Sequence, residues 1–484
     1  MAKFLPRSDF FAGGDGVSLL PFRFERVSDG VIVSNFVGDL QKFTSDEFEH
    51  LKNCDFAPGD PLFDRAESAH LATANGNTAS LQLLAMRMRS RMQFLRAPTA
   101  LHMFVVSLRC EHSCPYCQVS RQSTDTQRFD MSEEVAERAL AIALQSPPDH
   151  IKIEFQGGEP LLNFPLIKKI VAAAKRDAPK VGKTVGFVFA TNLALLNDEV
   201  LDFCDEHEIL ISTSLDGPRD LHNKNRPRPG NNSYELAVDG IRRAQKRLGK
   251  ENVGALMTPT ETSLGRVEDI IDEYLALDLD GIFLRALSPY GFAIKTKQIR
   301  KYDGDQWLDF YYRGLRYILD LNKQGKHFVE FYTALILRRM LTDEPIGYVD
   351  LRSPAGIGLG ALVYNYDGRV FASDEGRMLA EMGDNSFVLG DVHTHNYRSL
   401  VLAPNLVEGI ASSLSQVAPE CSSCVFEPIC GADPVYHHAT QGDFVGIKPL
   451  SGFCKRQKGV MSHIFDLLEK GGEDADILRN WISK

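Results

Sequence analysis

The sequence predicts an α/β fold: a parallel sheet curled into a partial (β/α)6 barrel, with a small N-terminal α+β module before it and a cysteine-rich extension after it. Two observations carry the prediction. Between Leu101 and Pro289 six near-continuous apolar runs alternate with amphipathic helical patterns, which is how parallel strands buried on both faces read. On either side the pattern changes, to short strand-like runs and helices before the block and to loops with clustered cysteines after it. The expected boundaries are 1–98, 99–325 and 326–484.

In the first segment FRFERV (22–27) and VIVSNF (31–36) read as two strands around a turn at Ser28-Asp29-Gly30. SDEFEHLK (45–52) reads as a helix with a serine N-cap. The stretch 78–97 is a further helix, and its basic part, RMRSRMQFLR, reads as a solvated face. The barrel strands fall at 101–109, 150–157, 184–191, 209–217, 253–259 and 281–289, and the helix after Asp303 continues the alternation. Residues 345–400 are loop-rich, with a hairpin in LVYNYDGRVFAS turning at Tyr366-Asp367-Gly368.

Composition narrows the function classes. A formal charge of −10 argues against a nucleic-acid protein. No apolar run reaches the roughly 18 residues of a membrane span, and MAKFLPRSDFFAGGDG has no apolar signal core, so a cytoplasmic location is expected. Nine cysteines in 484 residues are too few for a disulfide scaffold, and their clustering points to metal. Cys54 and Cys204 stand alone and read as small core residues.

The strongest cluster is CEHSCPYC, with Cys110, Cys114 and Cys117, directly after the first barrel strand. Functional residues of βα barrels sit at the carboxyl ends of strands. Three cysteines suit a zinc knuckle or a redox group less well than a 4Fe-4S cluster, where one thiolate per iron leaves one iron open. QGGEP (156–160), ATN (190–192) and SLDG (214–217) follow at the next three strand ends.

The C-x3-C-x2-C spacing, with an aromatic before its last cysteine, resembles the radical S-adenosylmethionine superfamily and its TIM-like partial barrel. The resemblance implies that the open iron binds S-adenosylmethionine, whose reductive cleavage gives a 5′-deoxyadenosyl radical for hydrogen abstraction. It also implies roles for the strand-end motifs. Gly157, Gly158 and Glu159 would hold the methionine amino group. Ser214 and Asp216 would serve ribose and carboxylate, and Tyr116 would lie near the adenine. Thr191 and Asn192 are cofactor contacts or a strand-end cap, and Arg226 is a carboxylate partner or a surface arginine.

Cys421, Cys424 and Cys430, with Cys454 in GFCKRQ, resemble one cluster site of the SPASM extension. The resemblance implies one auxiliary 4Fe-4S cluster there, the alternative being structural zinc. The usual first auxiliary cluster lacks its ligands: Ser373 and Pro434 stand at two of its cysteine positions, and the run SPAGIGLGALVYNY (353–366) before the hairpin holds no cysteine. Two 4Fe-4S clusters in total are therefore expected. Asp374 matches an acidic residue that acts as a catalytic base in relatives oxidising Ser or Cys of sulfatases, or else simply ends the hairpin.

Longer phrases, notably LRSPAGIG (351–358) and CGADPVYHHATQGD (430–443), look like the His-Xaa-Ser system radical SAM maturases, over about Leu19 to Phe453. Membership implies a ribosomally made precursor with His-Xaa-Ser repeats, a second radical maturase as partner and a flavodoxin- or ferredoxin-type reductant. The implied outcome is an oxidative side-chain cross-link. The alternatives are sulfatase-maturase-like oxidation of Ser or Cys, and a non-catalytic iron–sulfur scaffold for the partner. The N-terminal module would dock the peptide or merely cap the barrel, and His437 and His438 would line the substrate path or pack around the cluster.

Overall fold

The computed structural model describes residues 16–75, 77–344, 346 and 351–482. The first fifteen residues, on which the signal-peptide expectation rests, lie outside that range. Among the described residues no helix is long and apolar enough to cross a membrane.

In the N-terminal segment β1 (Val17–Leu19) pairs with β5 (Ala72–Ala74), while β2 (Phe22–Val27), β3 (Gly30–Asn35) and β4 (Leu40–Phe43) form an antiparallel sheet in the order β2-β3-β4. Val31, Val33 and Phe43 pack with Phe48, Leu51 and Phe63 into a core separate from the barrel's. The helix Ser45–Asn53 is capped by Thr44, not by Ser45. The Thr44 hydroxyl accepts from the Glu47 N–H at 3.2 Å, and the Glu47 carboxylate accepts from the Thr44 N–H at 2.8 Å. This capping box satisfies two donors at once. Cys54 is not a core residue but the left-handed cap that ends this helix, with φ 57°. Cys204, in the helix Asp198–Glu206, is fully buried as expected.

The basic stretch is a solvated face only in part: Arg89 and Arg96 are exposed, but Arg87 and Arg91 turn inward. Arg87, in the helix Ala79–Arg91, bridges Asp39 of the N-terminal module and Asp343, the latter at 2.8 Å. Arg91 is 3% exposed and donates to the Arg339, Thr342 and Pro428 carbonyls. A buried guanidinium without such acceptors would be strongly destabilising, so these residues fasten the first segment to the rest of the chain.

The barrel strands are β6 (Leu101–Ser107), β7 (His150–Gly157), β8 (Thr184–Ala190), β9 (Leu210–Ser214) and β10 (Val253–Leu256), all parallel and in sequential order. Phe104, Ile153, Phe155, Phe187 and Ile211 are buried under the surrounding helices. The sixth strand is shorter than its apolar run predicts: β11 is only Gly281–Ile282, paired with β12 (Val329–Glu330) outside the main sheet. The buried Glu330 carboxylate accepts the Leu284 N–H at 2.9 Å, so beyond Ile282 a side chain takes the place of a strand neighbour.

At the other edge β13 (Ala361–Tyr364) pairs in parallel with β6, and β14 (Arg369–Phe371) and β15 (Val388–Asp391) continue antiparallel, giving eight strands. The predicted hairpin is thus an extension of the barrel sheet. Its turn places Gly368 at φ 90°, a conformation that favours glycine. The C-terminal helix Gly452–Lys470 packs on the helix Gly304–Lys323, where a side chain in place of Gly459 would meet Leu308 at 2.8 Å.

Candidate active site

Cys110, Cys114 and Cys117 follow β6 and line a cavity of about 250 Å³ with Gly157, Gly158, Tyr116, Thr191, Asn192, Ser214 and Arg226. The two glycines let the end of β7 pack directly on the cysteine loop. A Cβ at Gly157 would lie 1.9 Å from the Ser107 carbonyl oxygen, and one at Gly158 would lie 2.3 Å from that of Arg109. The Gly158 and Glu159 N–H groups donate to those same two carbonyls at 2.8 Å each. Backbone contact therefore fixes the start of the cysteine loop. Burial pushes the Cys110 thiol well up, and it pushes that of Cys114 up to about 12 against the lowering effect of the Arg226 charge, as expected of thiols deprived of water.

The two acidic residues of the motifs stand behind the cavity wall. Glu159 is fully buried and absent from the cavity lining. Its carboxylate accepts from the Thr191 hydroxyl at 2.7 Å, the Asn192 N–H at 2.9 Å and the Leu161 N–H at 3.1 Å. The expected direct acceptor for an ammonium is thus a brace that positions Thr191 and Asn192. Burial, and then the charge of Glu111, push its carboxyl up to about 8. Asp216 is likewise fully buried. It accepts from both Arg226 Nε and Nη2, at 3.0 and 3.2 Å, from the Thr258 N–H at 3.1 Å and from the Tyr116 hydroxyl. Asp216 therefore aims Arg226 and Tyr116, and it is the arginine that faces the cavity. Burial alone would lower the Arg226 guanidinium, but the Asp216 charge outweighs it and holds it charged.

A histidine network behind Asn192 was not read from the sequence. His112 Nε2 and His222 Nε2 share the Ser233 hydroxyl at 2.7 and 3.1 Å, and His222 Nδ1 accepts the Asp216 N–H at 3.2 Å. Ligand-type atoms of Cys110, Glu111 and His112 lie within 4.8 Å of one another. Both imidazole nitrogens of His112 already have protein partners, so this group is a hydrogen-bonded network. His112 lies more than a hundred positions before His222 and Ser233, so their network leaves no local pattern.

A second cavity, of about 280 Å³, is lined by all four of Cys421, Cys424, Cys430 and Cys454, together with His437, Lys448 and Lys458. Cys454 sits in the first turn of the helix Gly452–Lys470, where its N–H donates to the Ser451 hydroxyl at 3.2 Å. Among the described residues no three of these sulfurs lie within 4.8 Å of one another. One tetrahedral zinc, with Zn–S near 2.3 Å, draws its sulfurs to about 3.8 Å. Four cysteines around one cavity suit a multi-iron cluster, one thiolate to each iron.

Ser373 caps the helix Asp374–Ala380, and Pro434 opens the helix Pro434–Gln441. Asp374 is held by Arg377 at 2.8 Å, and it is Glu375 that lines a third cavity, of about 70 Å³, with Asp433, Arg285 and Tyr436. Burial, and then the charge of Glu375, push Asp433 up to about 7. This space abuts both cysteine cavities: the Ser288 carbonyl on its wall accepts from Gln118 of the first, and Phe453 and Gln457 are shared with the second. His438 bonds Asp384 at 2.7 Å, and neither it nor Asp374 lines these three cavities.

Residues 104–309 match the model of the Radical SAM superfamily. The serine-type anaerobic sulfatase-maturating enzyme of Klebsiella aerogenes is 31% identical over 152 residues, which is 30% of this chain and 37% of that enzyme. The chain therefore spans well under half of that relative's length. Among solved structures, native anSMEcpe with bound AdoMet and Kp18Cys peptide superposes with a TM-score of 0.63 at 19% identity, over 79% of this chain and 99% of that one. Streptococcus suis SuiB bound to its precursor peptide SuiA gives 0.53 at 15% identity, over 90% and 98%. At these identities the likeness is one of fold. Matched over the span that runs from β6 past β11, residues 104–309 constitute a radical SAM domain.

Proposed function

We propose that this chain is a radical S-adenosylmethionine enzyme that modifies a side chain of a ribosomally made peptide. One observation carries the reading: three cysteines of one loop meet in a cavity at the carboxyl ends of parallel strands, opposite a charged arginine. In this reading Cys110, Cys114 and Cys117 hold a 4Fe-4S cluster with one open iron. Reductive cleavage of the S-adenosylmethionine bound there supplies a 5′-deoxyadenosyl radical for hydrogen abstraction.

The chain's own residues bind and orient. Arg226, aimed by Asp216, presents its guanidinium to the cofactor carboxylate. Ser214 and Asn192 offer hydrogen bonds along the same wall. Glu159 holds Thr191 and Asn192 from behind, and Tyr116, held by Asp216, would lie near the adenine. Cys421, Cys424, Cys430 and Cys454 would hold an auxiliary 4Fe-4S cluster, which would supply one-electron redox chemistry. The substrate is a His-Xaa-Ser type precursor, the product a side-chain cross-link, and a second radical maturase and a flavodoxin- or ferredoxin-type reductant are its partners. Among the described residues no strand pairs with the outer edges of β2 and β4, which suit a leader segment that adds a strand.

The curated sulfatase-maturating relatives favour a second reading, oxidation of Ser or Cys to an aldehyde. The place of Asp374, held by Arg377 and outside the lining of the three cavities, weighs against it, because a base must reach the proton it abstracts. Anaerobically reconstituted protein with dithionite should release 5′-deoxyadenosine from S-adenosylmethionine. With the precursor co-expressed, mass spectrometry should show the loss of two hydrogens and no aldehyde reactivity. Absence of 5′-deoxyadenosine would sink the catalytic reading.

A further inference from the structure

Lys448 is 5% exposed and lines the four-cysteine cavity. A buried ammonium calls for a counter-charge, yet among the described residues no carboxylate lies within 4.0 Å of it. Its hydrogen-bond partners are neutral: the Val445 carbonyl, and His437 Nε2 at 3.4 Å. An ammonium has three N–H donors, so one is left for the cavity. Of the acids nearby, Glu420 lines the same cavity but is exposed and lies beyond 4.0 Å of the ammonium, and the buried ones are otherwise engaged. Glu427 pairs with Arg23 at 2.9 Å, and Asp433 caps the helix Pro434–Gln441 through the Val435 and Tyr436 N–H groups.

The lysine is also held in place. His437 is buried, with Nδ1 donating to the Asp433 carbonyl at 2.7 Å, which leaves Nε2 as the acceptor for Lys448. Burial pushes this imidazole down to about 4, so it stays neutral. The loop between them passes through Gly446 at φ 68°, where a Cβ would lie 2.5 Å from the His437 ring. Lys458, on the other side of the cavity, differs: its ammonium is already paired with Glu25 at 2.9 Å.

We propose that Lys448 supplies the counter-charge for an anionic iron–sulfur centre held by Cys421, Cys424, Cys430 and Cys454, and so keeps that centre's reduction potential up. The proposal rests on the cluster assignment made above. Four thiolates around a 4Fe-4S core leave a net charge of about −2, one unit more negative on reduction. A fixed positive charge beside the sulfurs stabilises the reduced state more than the oxidised one, and hydrogen bonds to sulfur act in the same direction.

The test uses full-length protein carrying C110A/C114A/C117A, so that the C-terminal centre is the iron that remains, and an EPR-monitored redox titration. K448M should shift the midpoint to more negative potential, K448R should stay near the parent, and K458M should shift it less. An unchanged midpoint in K448M with its iron retained overturns the proposal. If K448M sheds iron, K448Q and K448R decide: loss in both neutral variants with retention in K448R is the same charge requirement read as occupancy. Loss in K448R as well makes the lysine a packing element and overturns the proposal. A parent variant that binds no iron at all defeats the cluster assignment, and the proposal with it.

Discussion

The two cysteine sites are built by different means. Around Cys110, Cys114 and Cys117 the frame is the sheet: backbone bonds from Gly158 and Glu159 pin the loop, and the side chains behind the wall brace one another without any metal. Around Cys421, Cys424, Cys430 and Cys454 no strand takes part. The ligands come from short turns and the first turn of a helix, between a buried lysine and an arginine–glutamate pair. The first site is framed by the sheet, whereas the second is framed by the segments that carry its own ligands. Loss of metal should therefore abolish chemistry at the first and weaken the fold at the second.

The sharpest way to break that contrast is to remove one ligand from each. C110A should abolish 5′-deoxyadenosine formation, a loss of several orders of magnitude, with little change in thermal midpoint. C430S should do the reverse, destabilising the protein by about 2 kcal/mol or more while 5′-deoxyadenosine release without substrate turnover persists. Iron content, thermal melts and product assays on the two variants together decide the matter. A C430S protein as inert as C110A, with an unchanged melt, would remove the distinction.

Between these in size is G158A. Its Cβ would lie 2.3 Å from the Arg109 carbonyl oxygen and 2.6 Å from that of Leu108, backbone atoms that cannot step aside as a side chain can. Overpacking of this kind costs about 3 kcal/mol. Iron bound at the strand-end site should fall, and iron at the C-terminal site should stay. A G158A protein with full iron and a wild-type melt would show that the glycine does not hold the loop.

How much of this could be read beforehand follows from the separation of the interacting groups. The βα repeat is legible because each apolar run buries itself locally, and the cysteine ligands are legible because their spacing is local. The truncated sixth strand is not, since the carboxylate that takes the Leu284 N–H lies 46 residues on, at Glu330. Arg87 reads as a surface cation until Asp39 and Asp343, 48 and 256 residues away, come beside it. Glu159 and Asp216 sit in the expected motifs, but nothing in a motif tells which way a side chain turns. Here both turn inward, and the residues they hold face the cavity. Lys448, in an unremarkable Lys-Pro-Leu turn, carries no signal until the four cysteines surround it.

The smallest effect sharpens how the strand-end site is braced. Burial first, and then the Glu111 charge, raise the Glu159 carboxyl from its ordinary 4.5 to about 8, against three hydrogen bonds that favour the ionised form. The folded protein thus keeps this proton more tightly than the unfolded chain does. The associated stability is fully present below pH 4.5 and is lost as pH rises toward about 8. Glutamine at this position has no proton to lose, so E159Q should flatten the fall in thermal midpoint between about pH 5 and pH 8. Because the amide places a second donor beside the Thr191, Asn192 and Leu161 donors, E159Q should also be less stable than wild type at the acid end, by about 1 to 2 kcal/mol. Melts of both proteins across that range check the slope, and parallel curves would mean that Glu159 stays ionised and that its hydrogen bonds outweigh its burial.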